Sequence, residues 1–141
     1  MQFARRVFQI AGIYGLLVMP PLYFLEAHIG REQPPAITHP EYFYGFVGLG
    51  VVWQFVFLLI SRDPIRFRPM MLMSILEKLS FGLAAPILYA LGRVPVEVFA
   101  MASVDLLFSV LFAFAWQGTR ESEAQAADQN FRRGTSRRAT A

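Results

Sequence analysis

The sequence predicts an all-α integral membrane fold: an antiparallel bundle of four transmembrane helices, both termini cytoplasmic, followed by a disordered tail. Three observations carry this expectation. The 141 residues are 55% hydrophobic and 15% aromatic but only 16% charged, whereas a soluble domain carries about 25% charged residues. Four apolar runs, at residues 7–25, 42–61, 70–91 and 96–117, reach the roughly 20 residues that a bilayer crossing needs. The basic residues are also lopsided. With four spans and the N-terminus inside, Arg5, Arg6, Arg62, Arg66, Arg68, Arg120, Arg132, Arg133, Arg137 and Arg138 share one side, Arg31 and Arg93 the other, and only Lys78 lies inside a span. By the positive-inside rule the first group is cytoplasmic.

The four spans define a transmembrane domain over residues 1–118 and leave a polar tail at 119–141. No room remains for a separate soluble domain. The chain has no cysteine, which excludes disulfides, thiol catalysis, cysteine-attached haem and iron–sulfur clusters, and the pattern asks for no cofactor. The net charge of +3 does not point to nucleic acid, because the arginines flank apolar spans and form no continuous basic face. The partner that composition implies is the lipid bilayer, with room for a homo-oligomer or a second membrane subunit.

The first span follows Arg5 and Arg6, which anchor its inner end. A cleaved signal peptide and a twin-arginine signal are the competing readings. The run exceeds the 7–15 residues of a signal core, it is aromatic, and Leu25 fits a small-residue cleavage site poorly, so an uncleaved helix is expected. Pro20 and Pro21 should break it near the outer end. Residues 26–41 read as a solvated loop. Within it His28, His39 and Glu41, with Glu26 and Glu32, are the sole metal-ligand candidates, but their spacing matches no helix-borne ligand pattern. Pro40 and Glu41 suit the first turn of the second span.

The second span opens on Tyr42, Phe43 and Tyr44, an interfacial aromatic belt. Gly45, Gly48 and Gly50 follow as a helix-packing signal. Deeper lie Trp53 and Gln54, and Gln54 suits an interhelical hydrogen bond. Asp63-Pro64 starts a turn whose Arg62, Arg66 and Arg68 are placed to meet lipid head groups. The third span contains Pro86, and Gly92, Arg93 and Pro95 make the tight turn into the fourth. The tail has almost no large apolar residue apart from Phe131 and should be disordered. Its arginines could touch anionic lipid.

Three charges fall inside spans: Glu77 and Lys78 on the third, Asp105 on the fourth. Each costs about 2.5–3.5 kcal/mol at a helix centre if left alone, so they should face inward and pair. A rise of about 1.5 Å per residue puts Lys78 roughly 13 Å and Asp105 roughly 18 Å from the cytoplasmic side, close enough to meet. Glu77 and Gln54 lie at a similar depth, and Tyr14 can reach the same layer. Ser74, Lys78, Gly82, Ala85 and Tyr89 form one helical stripe, and Ala102, Asp105, Ser109, Ala113 and Trp116 another. Both are small or polar, as an internal face should be. Glu77 points about 100° away from Lys78 and is expected to be the residue left over.

The segments AGIYGLLVMPPLYFLE and HPEYFYGFVGLGVVWQFVFLLISRDPIRFRPMMLMSILEKLSFG, with the Asp-bearing last helix, resemble a family of small bacterial four-helix membrane proteins over roughly residues 4–118. The most specific part is DPIRFRP followed by LEK. The resemblance implies an inner-membrane location and a four-span bundle, and no activity. The chain also has the size of the small multidrug transporters, but its first span has no acidic residue before Glu26, unlike theirs. Three functions remain open. One is a non-catalytic structural, accessory or ligand-binding subunit built around the Lys78–Asp105 pair. Another is a proton-coupled transporter using Glu77, Lys78 and Asp105 in a cytoplasm-facing polar cavity, with Glu77 the titrating group and Gln54 and Tyr14 further candidates in the same layer. The third is a lipid- or quinone-handling enzyme with Arg66, Arg68, Tyr14, Gln54 and Glu77 around a head group, although no nucleophile–base pair is evident.

Overall fold

The computed structural model describes residues 1–33 and 36–139, with side chains as far as Arg120. All regular secondary structure among the described residues is helical, without strands. The elements are α1 (Gln2–Val18), a 3₁₀ segment (Pro20–Phe24), α2 (Glu26–Glu32), α3 (Pro40–Arg62), α4 (Arg68–Ala90) and α5 (Val96–Ala139). Four stretches, Gln2–Phe24, Pro40–Arg62, Arg68–Ala90 and Val96–Arg120, are long and apolar enough to cross a membrane. They coincide with the four sequence-predicted spans and extend them mainly into the polar interface residues at their ends.

The helix boundaries follow from local chemistry. α1 stops where Pro20 and Pro21 can no longer donate to it, and the chain tightens into 3₁₀ bonds, with Leu22 N–H donating to the Met19 carbonyl at 3.1 Å. α3 begins at Pro40, where a missing N–H costs nothing. The α3–α4 turn is closed by Asp63, whose Oδ1 accepts the Arg66 N–H at 3.2 Å, the local side-chain-to-backbone bond that Asp favours in turns. α4 ends on Gly92, which at φ 67° takes the left-handed conformation that glycine adopts freely. This lets the Arg93 N–H reach the Leu88 carbonyl at 2.9 Å.

Two expectations need correction. The first half of the 26–41 connection is not a loop but α2. Glu26 in its first turn and Arg31 in its last suit the helix dipole, and the Tyr44 hydroxyl donates to Glu26 Oε2 at 2.6 Å, tying α2 to α3. The chain beyond residue 118 continues α5 to Ala139, where a disordered tail was expected. Ala, Glu, Gln and Arg are good helix formers, and extending an existing helix needs no new nucleus.

α1 packs along α3 and α4 along α5. α1 also meets α5, while α3 and α4 touch only sparingly. The core lies where the N-terminal part of α1, the C-terminal part of α3, the start of α4 and the middle of α5 converge. There Phe8 stacks on Phe112 at 4.1 Å between ring centroids, and Phe57 meets Phe112 edge-on at 5.1 Å. Ala4, Ala11, Ile60, Met71 and Ala115 fill the space around them. Large apolar side chains cover the outside, with Leu17 71%, Leu49 62% and Phe114 58% exposed. That inside-out pattern is stable in hydrocarbon and costly in water.

Candidate functional site

The site is assembled from the two helix pairs. Lys78 is on α4, on the buried stripe of Ser74, Gly82 and Ala85. Gly82 lets α5 come close: a Cβ there would lie 3.0 Å from Leu106 Cδ2. That approach sets the Lys78 ammonium 2.9 Å from Asp105 Oδ1, so the cross-helix pair expected from their depths is formed. About 15 Å of helix separates Lys78 from the start of α4, close to half the length of that helix.

Glu77 departs from expectation. Its Cα faces away from Lys78, but its side chain curls back and Oε2 comes within 3.5 Å of the same ammonium. The seven side-chain torsions of Glu77 and Lys78 together overcome the helical offset. The result is a triad of two carboxylates and one ammonium. The ammonium also sits over the Phe57 ring, 5.3 Å from its centroid. Glu77 Oε2 is buried and accepts no hydrogen bond from the described residues. The neighbouring hydroxyls are spoken for: Ser80 donates to the Glu77 carbonyl at 2.6 Å, and Ser74 to the Met70 carbonyl at 2.8 Å.

A cavity of about 200 Å³ adjoins the triad. Glu77, Lys78, Asp105, Gln54 and Tyr14 all line it, so the five residues grouped by depth in the sequence do share one site. The rest of the wall is mainly apolar and aromatic: Phe46, Trp53, Phe81, Phe108, Met19 and Met101 are in it. Gln54 contributes differently than expected. Its amide nitrogen donates to the Gly50 carbonyl of its own helix at 2.8 Å rather than across helices. Its side chain lies against Gly15 of α1, where no Cβ intervenes.

The cavity extends from the triad toward the 3₁₀ segment, past Val18, Met19 and Leu22 on one wall and Gly50 and Phe46 on the other. The opposite direction is closed by the Phe8–Phe57–Phe112 cluster. Arg62, Arg66 and Arg68 lie beyond that cluster and contribute nothing to the cavity. Arg66 caps the Phe67 ring at 5.5 Å and Arg68 the Trp116 ring at 5.0 Å. The lining residues lie on the side of the triad away from these arginines, and large rings fill the space between.

At the other end His39 Nδ1 and Glu41 Oε1 are 3.2 Å apart and exposed. His28 does not join them, and no group of three potential metal ligands forms among the described residues. Of the glycines flagged on α3, Gly50 is pressed by Met19 and Gly48 lies near the Tyr23 hydroxyl, while Gly45 faces open space. Gly12 and Gly15, which sequence reading passed over, are where α1 comes against Leu58 and Gln54 of α3. The signal was present in Ala4, Ala11, Gly12 and Gly15, a small-residue stripe on one face of α1. Phe57, three residues from Gln54, was likewise readable as part of the same face. Comparison of the chain with known protein families, with curated proteins and with solved structures gives no match.

Proposed function

We propose that this is a non-catalytic, multi-pass protein of the bacterial inner membrane whose helix bundle binds a small, largely apolar ligand beside Glu77. The four spans alternate in direction, with both termini in the cytoplasm. Arg62, Arg66 and Arg68 lie among the lipid head groups on that side, and the cavity faces the opposite leaflet. The charge distribution and the family resemblance support this placement.

One observation carries the ligand-binding reading: a cavity of about 200 Å³ is lined by Glu77, Lys78 and Asp105 together with a mainly apolar, aromatic wall. A mainly apolar pocket with a few convergent polar groups is the usual form of a small-molecule site. The 2.9 Å contact between Lys78 and Asp105 favours a second role for the same layer, fixing the register of α4 against α5. The two roles are compatible.

Native mass spectrometry of the detergent-purified protein tests the reading. The wild type is expected to retain a small molecule that Met101→Trp, which narrows the cavity without replacing a triad residue, loses. Lipids held on the outside of the bundle survive that substitution. Identical spectra for the two proteins count against the reading.

A further inference from the structure

The charge balance of the triad and the nature of the cavity wall together define a ligand class. Glu77 and Asp105 bring two negative charges and Lys78 one positive, all within one layer. Among the described residues that line the cavity, Lys78 is the one cation. The layer therefore carries a formal excess of one negative charge near the middle of the bundle, where a lone charge is expensive. A proton can cancel it, and so can a monovalent cation.

The wall discriminates between ligands that could fill the space. Tyr14, Phe46, Trp53, Phe81 and Phe108 surround it. Aromatic faces attract cations and repel anions through the ring quadrupole, most strongly where water is excluded. Lys78 does not cancel this preference, because its ammonium is already drawn to Asp105 at 2.9 Å and over the Phe57 ring at 5.3 Å. The ligand's way in is also apolar. Leu49 and Phe46 line the cavity and are 62% and 50% exposed on the outside of the bundle, a surface that faces lipid in the proposed placement.

Resting on the proposed cavity reading, we infer that the ligand is a small lipophilic monovalent cation, such as a quaternary or protonated amine with an apolar body. Glu77 is its counter-ion and the aromatic wall its cage. Asp105 holds Lys78 aside, which leaves the Glu77 carboxylate the less strongly paired of the two.

The test uses the full-length protein in detergent and two probes of one shape. Benzyltrimethylammonium carries a permanent charge, and neopentylbenzene is its neutral carbon isostere. Binding of each is measured at free concentrations corrected for uptake by empty micelles. The cation should bind on the order of tenfold more tightly. Glu77→Gln should remove that advantage while leaving the neutral probe bound, which also reports that the variant is folded. Wild-type protein that binds both probes equally overturns the cation assignment and leaves the cavity reading standing. Wild-type protein that binds neither overturns both.

Discussion

Lys78 joins three helices through one ammonium: Asp105 from α5, Glu77 from its own α4, and the Phe57 ring from α3. This arrangement ranks the cost of removing each partner. Lys78→Met strands two carboxylates beside one another in an apolar layer and should cost about 3–5 kcal/mol, as breaking a buried pair does. Asp105→Asn should cost less, because Lys78 keeps Glu77. Adding Asp105→Asn to Lys78→Met should recover part of the loss by removing one stranded charge. Thermal unfolding of the three variants in detergent gives the order. If Asp105→Asn proves the most damaging, Glu77 does not share the ammonium and the triad reduces to a pair.

At the scale of elements, the joint between α1 and α3 depends on two missing side chains. A Cβ on Gly12 would come 2.7 Å from Leu58 Cγ, and one on Gly15 would fall within the Gln54 amide. Close approach of this kind is how membrane helices gain packing energy when apolar burial gives no advantage over lipid. Gly15→Ala should therefore destabilise by about 1–3 kcal/mol, the usual cost of overpacking. Shortening the opposing side chain in the double variant Gly15→Ala/Gln54→Ala should relieve most of the clash. Gly45 provides the contrast: nothing lies within 4 Å of its Cβ position, so Gly45→Ala should gain about 0.5–1 kcal/mol from reduced backbone freedom alone. Opposite signs at Gly15 and Gly45, measured by unfolding in detergent, are the expected result. Equal effects would mean that α1 and α3 do not meet at Gly15.

At the scale of the whole molecule, the two helix pairs meet in a ring cluster at one end and enclose a cavity toward the other. This asymmetry gives the proposed orientation a functional consequence, since it decides which leaflet can supply a ligand. The chain has no cysteine, so single introduced thiols report sidedness without background. With a membrane-impermeant maleimide on intact spheroplasts, Thr38→Cys should be labelled and Arg66→Cys protected until the membrane is permeabilised. Labelling of both from the same side would overturn the four-span arrangement, and the reverse pattern would turn the cavity toward the cytoplasm.

Much of the fold was legible because its signals are local. Apolar runs, Pro20-Pro21, Asp63-Pro64 and Gly92 mark the boundaries of α1, α3, α4 and α5 through residue chemistry alone. Length and rise also placed Glu77, Lys78, Asp105, Gln54 and Tyr14 in one layer, because depth in a transmembrane helix is a linear function of position. Helical periodicity paired Lys78 with Asp105 but misjudged Glu77. Period describes where a Cα–Cβ bond points, whereas a long side chain can bend back across the offset. The same limit applies to Gln54, which hydrogen-bonds its own helix. α2 was missed because a short helix rests on a tertiary tie, the Tyr44–Glu26 contact, between residues far apart in sequence. By itself, then, the sequence determined the number and extent of the helices long and apolar enough to cross a membrane, since hydropathy and helix rise require no knowledge of neighbours. Only the tertiary structure decided which helices pair closely, that three charges rather than two share the central layer, and that the cavity is lined on the side away from the arginines. Those outcomes depend on how Gly12, Gly15 and Gly82 let particular helices approach and where Phe8, Phe57 and Phe112 come to fill the space between them.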